Sequence, residues 1–150
     1  MQKRILVVDA VRKQCRQVCT LLEKGGYPAT PMHSILNLEK SLAAGEYLAV
    51  ILDIDTVSVD NRTIRKLTIK YPGVNLFALS AYRFHPELRD AICYHIFACI
   101  NKPVDPDELF YWLRCVYENE SEASIEPHGS IKKLFPGGRG YESRRDGLPT

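Results

Sequence analysis

Short apolar runs alternate with helical patterns along most of this chain, and this alternation restricts its fold more than any other feature. The runs of strand length lie at about 4–8, 27–32, 48–54, 74–79 and 97–100. The segments that follow them carry apolar residues at helical spacing. Pro28 and Pro31 interrupt the second run, which favours a place at the edge of a sheet. Five alternating units predict an α/β fold, with a doubly wound five-stranded parallel sheet and helices on both faces.

Polar residues mark the ends of the predicted helices. Ser34 is a candidate N-cap for the second helix. The third helix is predicted between residues 59 and 71, with Ile69 among its apolar positions. Asp105 precedes Pro106 where the fifth helix should begin, and an acid followed by proline is a favoured order at a helix start.

Composition indicates one globular domain followed by a tail. The chain has 150 residues, 45% hydrophobic and 25% charged, with a net charge of +2. Residues 1–118 are predicted to form the domain. Residues 119–150 are first acidic, then basic and rich in Gly and Pro, which predicts a disordered tail. The small charge, the lack of a membrane-length apolar run and the N-terminus without a signal-peptide pattern predict a cytoplasmic protein that binds neither nucleic acid nor membrane.

The five cysteines are odd in number and contain no CxxC pair. This pattern argues against a disulfide framework or a zinc site. Cys15 and Cys19 are four residues apart, so they share one helix face. We expect buried free thiols in a reducing compartment.

Four strands are followed by polar residues that could meet in space. The first leads to Asp9, the third to Asp53, the fourth to Ser80 and the fifth to Lys102. The carboxyl ends of neighbouring parallel strands share one edge, where open α/β sheets place their sites. Two carboxylates can hold a divalent cation, and a hydroxyl with an ammonium can hold a phosphoryl group. The pattern therefore predicts a site for phosphorylating an aspartate.

Over residues 3–117, the order of elements and these strand ends resemble the CheY-like receiver domain of two-component response regulators. The motifs that carry the resemblance are Val8-Asp9, Leu52-Asp53, Ser80-Ala81 and Lys102-Pro103. The resemblance implies a (βα)5 flavodoxin-like receiver fold and a cis peptide bond between Lys102 and Pro103. It also implies a phosphoprotein that acts in phosphorelay signal transduction.

In the mechanism that the resemblance implies, Asp53 attacks the phosphorus of a phosphohistidine or of a small acyl phosphate. The phosphohistidine belongs to a histidine kinase or a phosphotransfer protein. Mg²⁺, held by Asp9, Asp53 and the backbone carbonyl of Asp55, neutralises the developing charge. Lys102 binds a phosphoryl oxygen and Ser80 turns inward, which shifts a two-state equilibrium that a downstream protein effector reads. No enzyme activity is implied beyond self-phosphorylation and slow autodephosphorylation of Asp53.

Some positions depart from the family's pattern. Ala10 replaces an acid that usually supplies a metal ligand, so weak Mg²⁺ binding is expected. Cys99 replaces the switch aromatic three residues before the lysine, and Val57 replaces a proline. Asn61 follows an aspartate where the family usually has glycine, and asparagine tolerates the left-handed conformation better than most residues. The side chain of Asp55 is expected to face solvent.

These residues are consistent with three different functions. The first is a single-domain receiver that accepts a phosphoryl group on Asp53. The second is a pseudo-receiver that binds a protein partner without phosphorylation, and Ala10 and Cys99 favour it. The third is a phosphatase, since Asp53-Ile54-Asp55 resembles the DxD motif of haloacid-dehalogenase-type enzymes, although that motif usually lies on the first strand of the core. The sequence does not identify the kinase, the effector, the pathway or the role of the tail. It allows a homodimer through helices four and five.

Overall fold

Parallel strands form a single sheet in the computed structural model, which describes residues 3–83 and 85–125, the side chains of 121–125 excepted. The strands are β1 (Arg4–Val8), β2 (Ala29–Met32), β3 (Tyr47–Asp53), β4 (Asn75–Ser80) and β5 (Ile96–Asn101). Their order is β2-β1-β3-β4-β5, and each neighbouring pair is parallel. The proline-containing β2 lies at an edge, as predicted. The predicted α/β fold with a five-stranded parallel sheet is confirmed.

Helices follow the strands in the predicted alternation. They are α1 (Arg12–Lys24), α2 (Leu38–Ala43), α3 (Asn61–Lys70), α4 (Arg89–Tyr94) and α5 (Pro106–Ile125). A 3-10 turn, Pro86–Leu88, leads into α4. At the start of α5, the backbone N–H of Asp107 donates to Oδ1 of Asp105 at 3.0 Å, so the predicted cap is present. No helix within the described ranges is long and apolar enough to span a membrane.

The sheet and the strand ends lie in a compact unit that extends to Trp112, and a second unit begins at Leu113 within α5. The predicted domain boundary at residue 118 falls inside α5, which continues to Ile125. The remainder of the predicted tail, 126–150, lies outside the described residues.

Apolar side chains of the central strands build the core. Residues 5–8, 48–52 and 76–79 are at most 4% exposed, as expected for strands covered on both faces. On one face, Leu38 and Leu42 of α2 pack in the same cluster as Ile64 and Leu67 of α3. Burying one such side chain contributes about 1.5–3 kcal/mol. This packing fixes the strand ends that carry the polar residues.

Some local predictions are wrong. Ser34 does not cap α2; its Oγ accepts a hydrogen bond from the N–H of Leu36 at 3.1 Å, and α2 begins one turn later. Ile69 is 61% exposed, because it lies on the outer side of α3. Asn61 is not left-handed but opens α3, and the described residues with positive φ are glycines. Asp60 precedes it as the N-cap and accepts from the N–H of Thr63 at 2.8 Å.

The cysteines are free thiols, as predicted, but only some of them are buried. Cys15 and Cys19 are buried in α1. Desolvation raises the pKa of both thiols, that of Cys19 to about 12. Cys93 and Cys99 are exposed, which the sequence pattern did not indicate.

Candidate functional site

The strand-end residues meet at one edge of the sheet. Asp53 ends β3, Ser80 ends β4, and Asp9 and Lys102 directly follow β1 and β5. The parallel register aligns these ends, since Asp53 is paired with Leu79 and Ser80 with Asn101. Asp9, Asp53 and Ser80 are also the polar residues that are buried within the described part of the chain. The peptide bond between Lys102 and Pro103 is cis.

The carboxylate of Asp53 is fully engaged by donors from the protein. Its Oδ1 accepts the backbone N–H groups of Asp55 at 3.0 Å and Thr56 at 3.1 Å. Its Oδ2 accepts the ammonium of Lys102 at 2.8 Å and the side-chain amide of Gln14 at 2.8 Å. A carboxylate offers about four acceptor positions, so these donors use the whole capacity of the group. The site therefore leaves no oxygen of Asp53 without a donor.

Gln14 bridges the two carboxylates that the sequence analysis assigned to a cation. Its Nε2 atom donates to Oδ2 of Asp9 at 2.5 Å as well as to Oδ2 of Asp53. Ionised carboxylates only accept hydrogen bonds, so the NH₂ end of the amide must face them. The other oxygen of Asp9 accepts the N–H of Val11 at 2.9 Å and the hydroxyl of Thr56 at 3.0 Å. A neutral donor thus lies between two negative groups.

The side chain of Asp55 turns into the site, so the expectation that it faces solvent is wrong. The residue as a whole is exposed, but its side chain is only 15% exposed. Its Oδ1 accepts the hydroxyl of Ser80 at 2.7 Å. Its Oδ2 accepts the N–H of Ala81 at 2.8 Å and lies 3.1 Å from Nζ of Lys102. Hydrogen bonds from these three donors stabilise the inward rotamer of Asp55 relative to a rotamer that is hydrated by water.

Ionisation in the site follows from these contacts. Burial acts to raise the pKa of Asp55, but the bonds from Ala81, Ser80 and Lys102 outweigh it, and the pKa lies below its usual value. Burial acts to lower the pKa of Lys102, but the bonds and charges of Asp53 and Asp55 raise it above its usual value. Both groups are therefore held in their charged forms.

Several solved structures with a similar arrangement of elements are receiver domains. The signal receiver domain of an HD domain-containing protein from Pseudomonas fluorescens Pf-5 is 22% identical, with a TM-score of 0.71 over 81% of this chain and 99% of that one. A CheY-like response regulator receiver domain protein from Methanospirillum hungatei JF-1 is 23% identical, with a TM-score of 0.66 over 81% and 99%. The chemotaxis protein CheY4 of Vibrio cholerae is 14% identical, with a TM-score of 0.66 over 77% and 99%. This chain has the CheY-like receiver fold. No family model matches it, and no curated protein does.

Binding of Mg²⁺ by Asp9, Asp53 and the backbone carbonyl of Asp55 stays a prediction. Mg²⁺ requires near-octahedral oxygen ligands, and the N–H groups of Gln14 repel a cation. Ala10 supplies no ligand, and the carboxylate of Asp55 faces Ser80 instead. Across residues 3–83 and 85–125, no group of three or more His, Cys, Asp or Glu side chains is arranged to hold a metal ion. The side chains as they are arranged do not fit the cation.

Gln14 and Thr56 are site residues that the sequence analysis missed. Gln14 lies in the first turn of α1, between the basic residues Lys13 and Arg16. Thr56 comes three residues after Asp53 in the turn that follows β3. Their positions in the sequence could have indicated a place in the site, because the first turn of α1 and the turn after β3 both adjoin the sheet edge that holds Asp9 and Asp53. An uncharged residue type gave no indication of a role there.

Proposed function

We propose that this chain is a signalling module of the receiver fold that works without transfer of a phosphoryl group to Asp53. In this proposal it is a pseudo-receiver that presents one conformation to a protein effector. The observation that carries the proposal is the side-chain amide of Gln14, which donates to both Asp9 and Asp53. That amide lies where a cation would have to bind these two carboxylates.

The charges of the site support the same conclusion. Catalysis of phosphoryl transfer depends mainly on positioning and on neutralising negative charge. Here the ammonium of Lys102 pairs with Asp53 and Asp55, while Asp9 adds a third carboxylate that is bridged to Asp53 by Gln14. An incoming phosphoryl group adds further negative charge. Without a cation that displaces the amide of Gln14, the site opposes the reaction.

Phosphorylation of Asp53 is the second candidate. It is favoured by the burial of Asp53 at the end of β3, 2.8 Å from Lys102 and at the same edge as Ser80. It requires Gln14 to turn its amide away from the carboxylates and Asp55 to release Ser80. The fold does not support the phosphatase alternative, because Asp53 ends the third strand in the chain and the chain has the receiver fold.

Titration with Mg²⁺ and then beryllofluoride, followed by ¹H–¹⁵N NMR, tests the proposal. We expect the wild type to show no shifts near Asp9 or Asp53 at millimolar Mg²⁺. Gln14→Ala removes the bridging amide and should gain Mg²⁺-dependent shifts at those residues. Gln17→Ala is the matched control, because Gln17 is an exposed glutamine of the same helix. Beryllofluoride shifts in the wild type that vanish in Asp53→Asn would establish the second candidate instead.

We further propose a partner and a compartment for this chain. A protein effector reads the fixed surface, and no histidine kinase or phosphotransfer protein is required. The buried free thiols of Cys15 and Cys19 support action in the reducing cytoplasm.

A further inference from the structure

Donors from two neighbouring strand ends converge on the carboxylate of Asp55. We call the three donor groups the oxyanion site: the hydroxyl of Ser80, the backbone N–H of Ala81 and the ammonium of Lys102. All three lie within 3.1 Å of an Asp55 oxygen, and both oxygens are used. Ser80 is 5% exposed, and the side chains of Lys102 and Asp55 are 17% and 15% exposed, whereas Ala81 is exposed to solvent.

A hydroxyl, a backbone amide and an ammonium that point at one place will bind a negatively charged oxygen group of any origin. We propose that Asp55 is the permanent internal ligand of the oxyanion site and that it thereby fixes the segment after β4. The inference rests on the proposed function, because a phosphoryl group on Asp53 would compete for the same donors. It assigns to Asp55 the role of a positioning residue.

The hydroxyl of Ser80 connects this carboxylate to the surface. Ser80 Oγ donates to Asp55 and accepts the backbone N–H of Tyr82 at 2.9 Å. Because the hydroxyl proton of Ser80 points toward Asp55, a lone pair of the hydroxyl oxygen is free to accept the N–H of Tyr82. Tyr82 is 67% exposed, and its backbone carbonyl lies 3.0 Å from Nε2 of His85. Asp55 therefore sets the backbone that presents an exposed aromatic ring.

The far end of the same segment is held independently of Asp55. Nδ2 of Asn61 donates to the carbonyl of Glu87 at 2.9 Å, and Oδ1 of Asn61 accepts the N–H of Ala91 at 2.8 Å. These bonds tie the start of α3 to the start of α4. Release of Asp55 should thus loosen residues 80–82 while leaving 87–91 in place, which gives the inference a local signature.

Exogenous carboxylate rescue of Asp55→Ala tests the inference. The probe is formate, and the readouts are amide chemical shifts and hydrogen exchange. We expect exchange at Ala81 and Tyr82 to accelerate about tenfold or more in the variant, since both amides lose support. High formate should restore the wild-type shifts of those amides in Asp55→Ala. It should not do so in Asp55→Ala combined with Ser80→Ala, which lacks one donor.

Asp90→Ala is the matched control, because it removes an exposed acid from the first turn of α4. It should leave exchange at Ala81 and Tyr82 unchanged. Asp55→Asn keeps the side-chain shape and should also accelerate exchange at Ala81, which preserves the test if the alanine variant does not fold. Unchanged exchange in both Asp55 variants, or a loosened segment that formate does not restore, would overturn the inference.

The proposed function fails by a different result. Binding of beryllofluoride to the wild type in the presence of Mg²⁺ would overturn it, whatever Asp55→Ala shows. A wild type silent to beryllofluoride together with unchanged exchange in the Asp55 variants would overturn only the role assigned to Asp55.

Discussion

The Nζ atom of Lys102 lies 2.8 Å from Oδ2 of Asp53, and the two side chains are 17% and 2% exposed. Removal of the ammonium leaves a buried carboxylate without its partner, a loss that typically costs about 3–5 kcal/mol. We expect Lys102→Met to lower the free energy of unfolding by roughly 3 kcal/mol, measured by urea denaturation.

Lys70→Met provides the comparison for Lys102. Lys70 also pairs with an acid, Glu39, at 3.0 Å, but both side chains are well exposed, at 56% and 42%. Solvent screens such a pair, so its loss should change the unfolding free energy very little. Equal effects at the two lysines would contradict the importance of burial in the site.

Stability should depend on pH through Lys102 of the oxyanion site and through Asp55, the carboxylate that it binds. The pKa of Asp55 is lower in the folded state than its usual value of about 3.9. Its contribution is therefore complete above that value and is lost as the pH falls through the folded-state pKa. The pKa of Lys102 is raised above its usual value of about 10.4, so its contribution is complete below that value and is lost as the pH rises through the folded-state pKa.

Urea denaturation of the wild type and Asp55→Asn as a function of pH measures the acid part. The difference in unfolding free energy between the two should be constant near neutral pH and shrink as the pH falls below about 4. A wild-type advantage that persists unchanged at low pH would mean that the charge of Asp55 does not contribute to stability.

The end of α1 should not tolerate a methyl group at Gly25. A Cβ atom placed there would lie 2.6 Å from Cε1 and Cζ of Phe110, whose ring stacks on Tyr27 with centroids 5.9 Å apart. Such overpacking typically costs about 1–3 kcal/mol, and we expect Gly25→Ala to fall in that range. Because alanine readily adopts the φ of −85° found at Gly25, the loss of stability in Gly25→Ala would come from the contact with Phe110 and not from backbone strain.

Gly73→Ala is the control for Gly25→Ala, because a Cβ atom there meets nothing within 4 Å. It should be neutral or stabilise by up to about 1 kcal/mol through the unfolded chain. A destabilised Gly73→Ala equal to Gly25→Ala would show that the ring contact is not the cause. Thermal denaturation of both variants decides this.

Asn61 should hold the start of α4. Loss of its bonds to Glu87 and Ala91 in Asn61→Ala is expected to cost about 1–3 kcal/mol and to accelerate amide exchange over residues 87–94. Asn37→Ala is a suitable control, because Asn37 precedes α2 without a side-chain capping bond. Exchange that rises at residues 80–82 instead would contradict the independent anchoring of the two ends of the segment.

The sheet could be predicted because strand patterns are dictated by burial. The continuous apolar run that ends in Asp53 has the length and composition of a strand covered on both faces. Pro31 in β2 and Pro28 just before it lack backbone N–H donors, which favours a place at the edge of the sheet. The start of α2 was misplaced because Ser34 can cap a turn as well as a helix, and the sequence does not distinguish the two.

In the site, the meeting of Asp9, Asp53, Ser80 and Lys102 could be predicted from strand ends alone. The roles of Gln14 and Asp55 could not, because they depend on which way a side chain turns. Asp55 is at a position from which its carboxylate can reach either water or the donors around Ser80. The balance between those states is set by the three-dimensional donor arrangement and has no periodic signal in the sequence.

The covalent connection of Asp55 to the site that it fills has a consequence for competition. An external oxyanion must displace a ligand that is tethered only two residues from Asp53 and is therefore present at a high effective concentration. This effective concentration does not fall when the protein is diluted. A small anion must therefore exceed that effective concentration to displace Asp55, whereas a change in the turn after β3 acts on the tether directly.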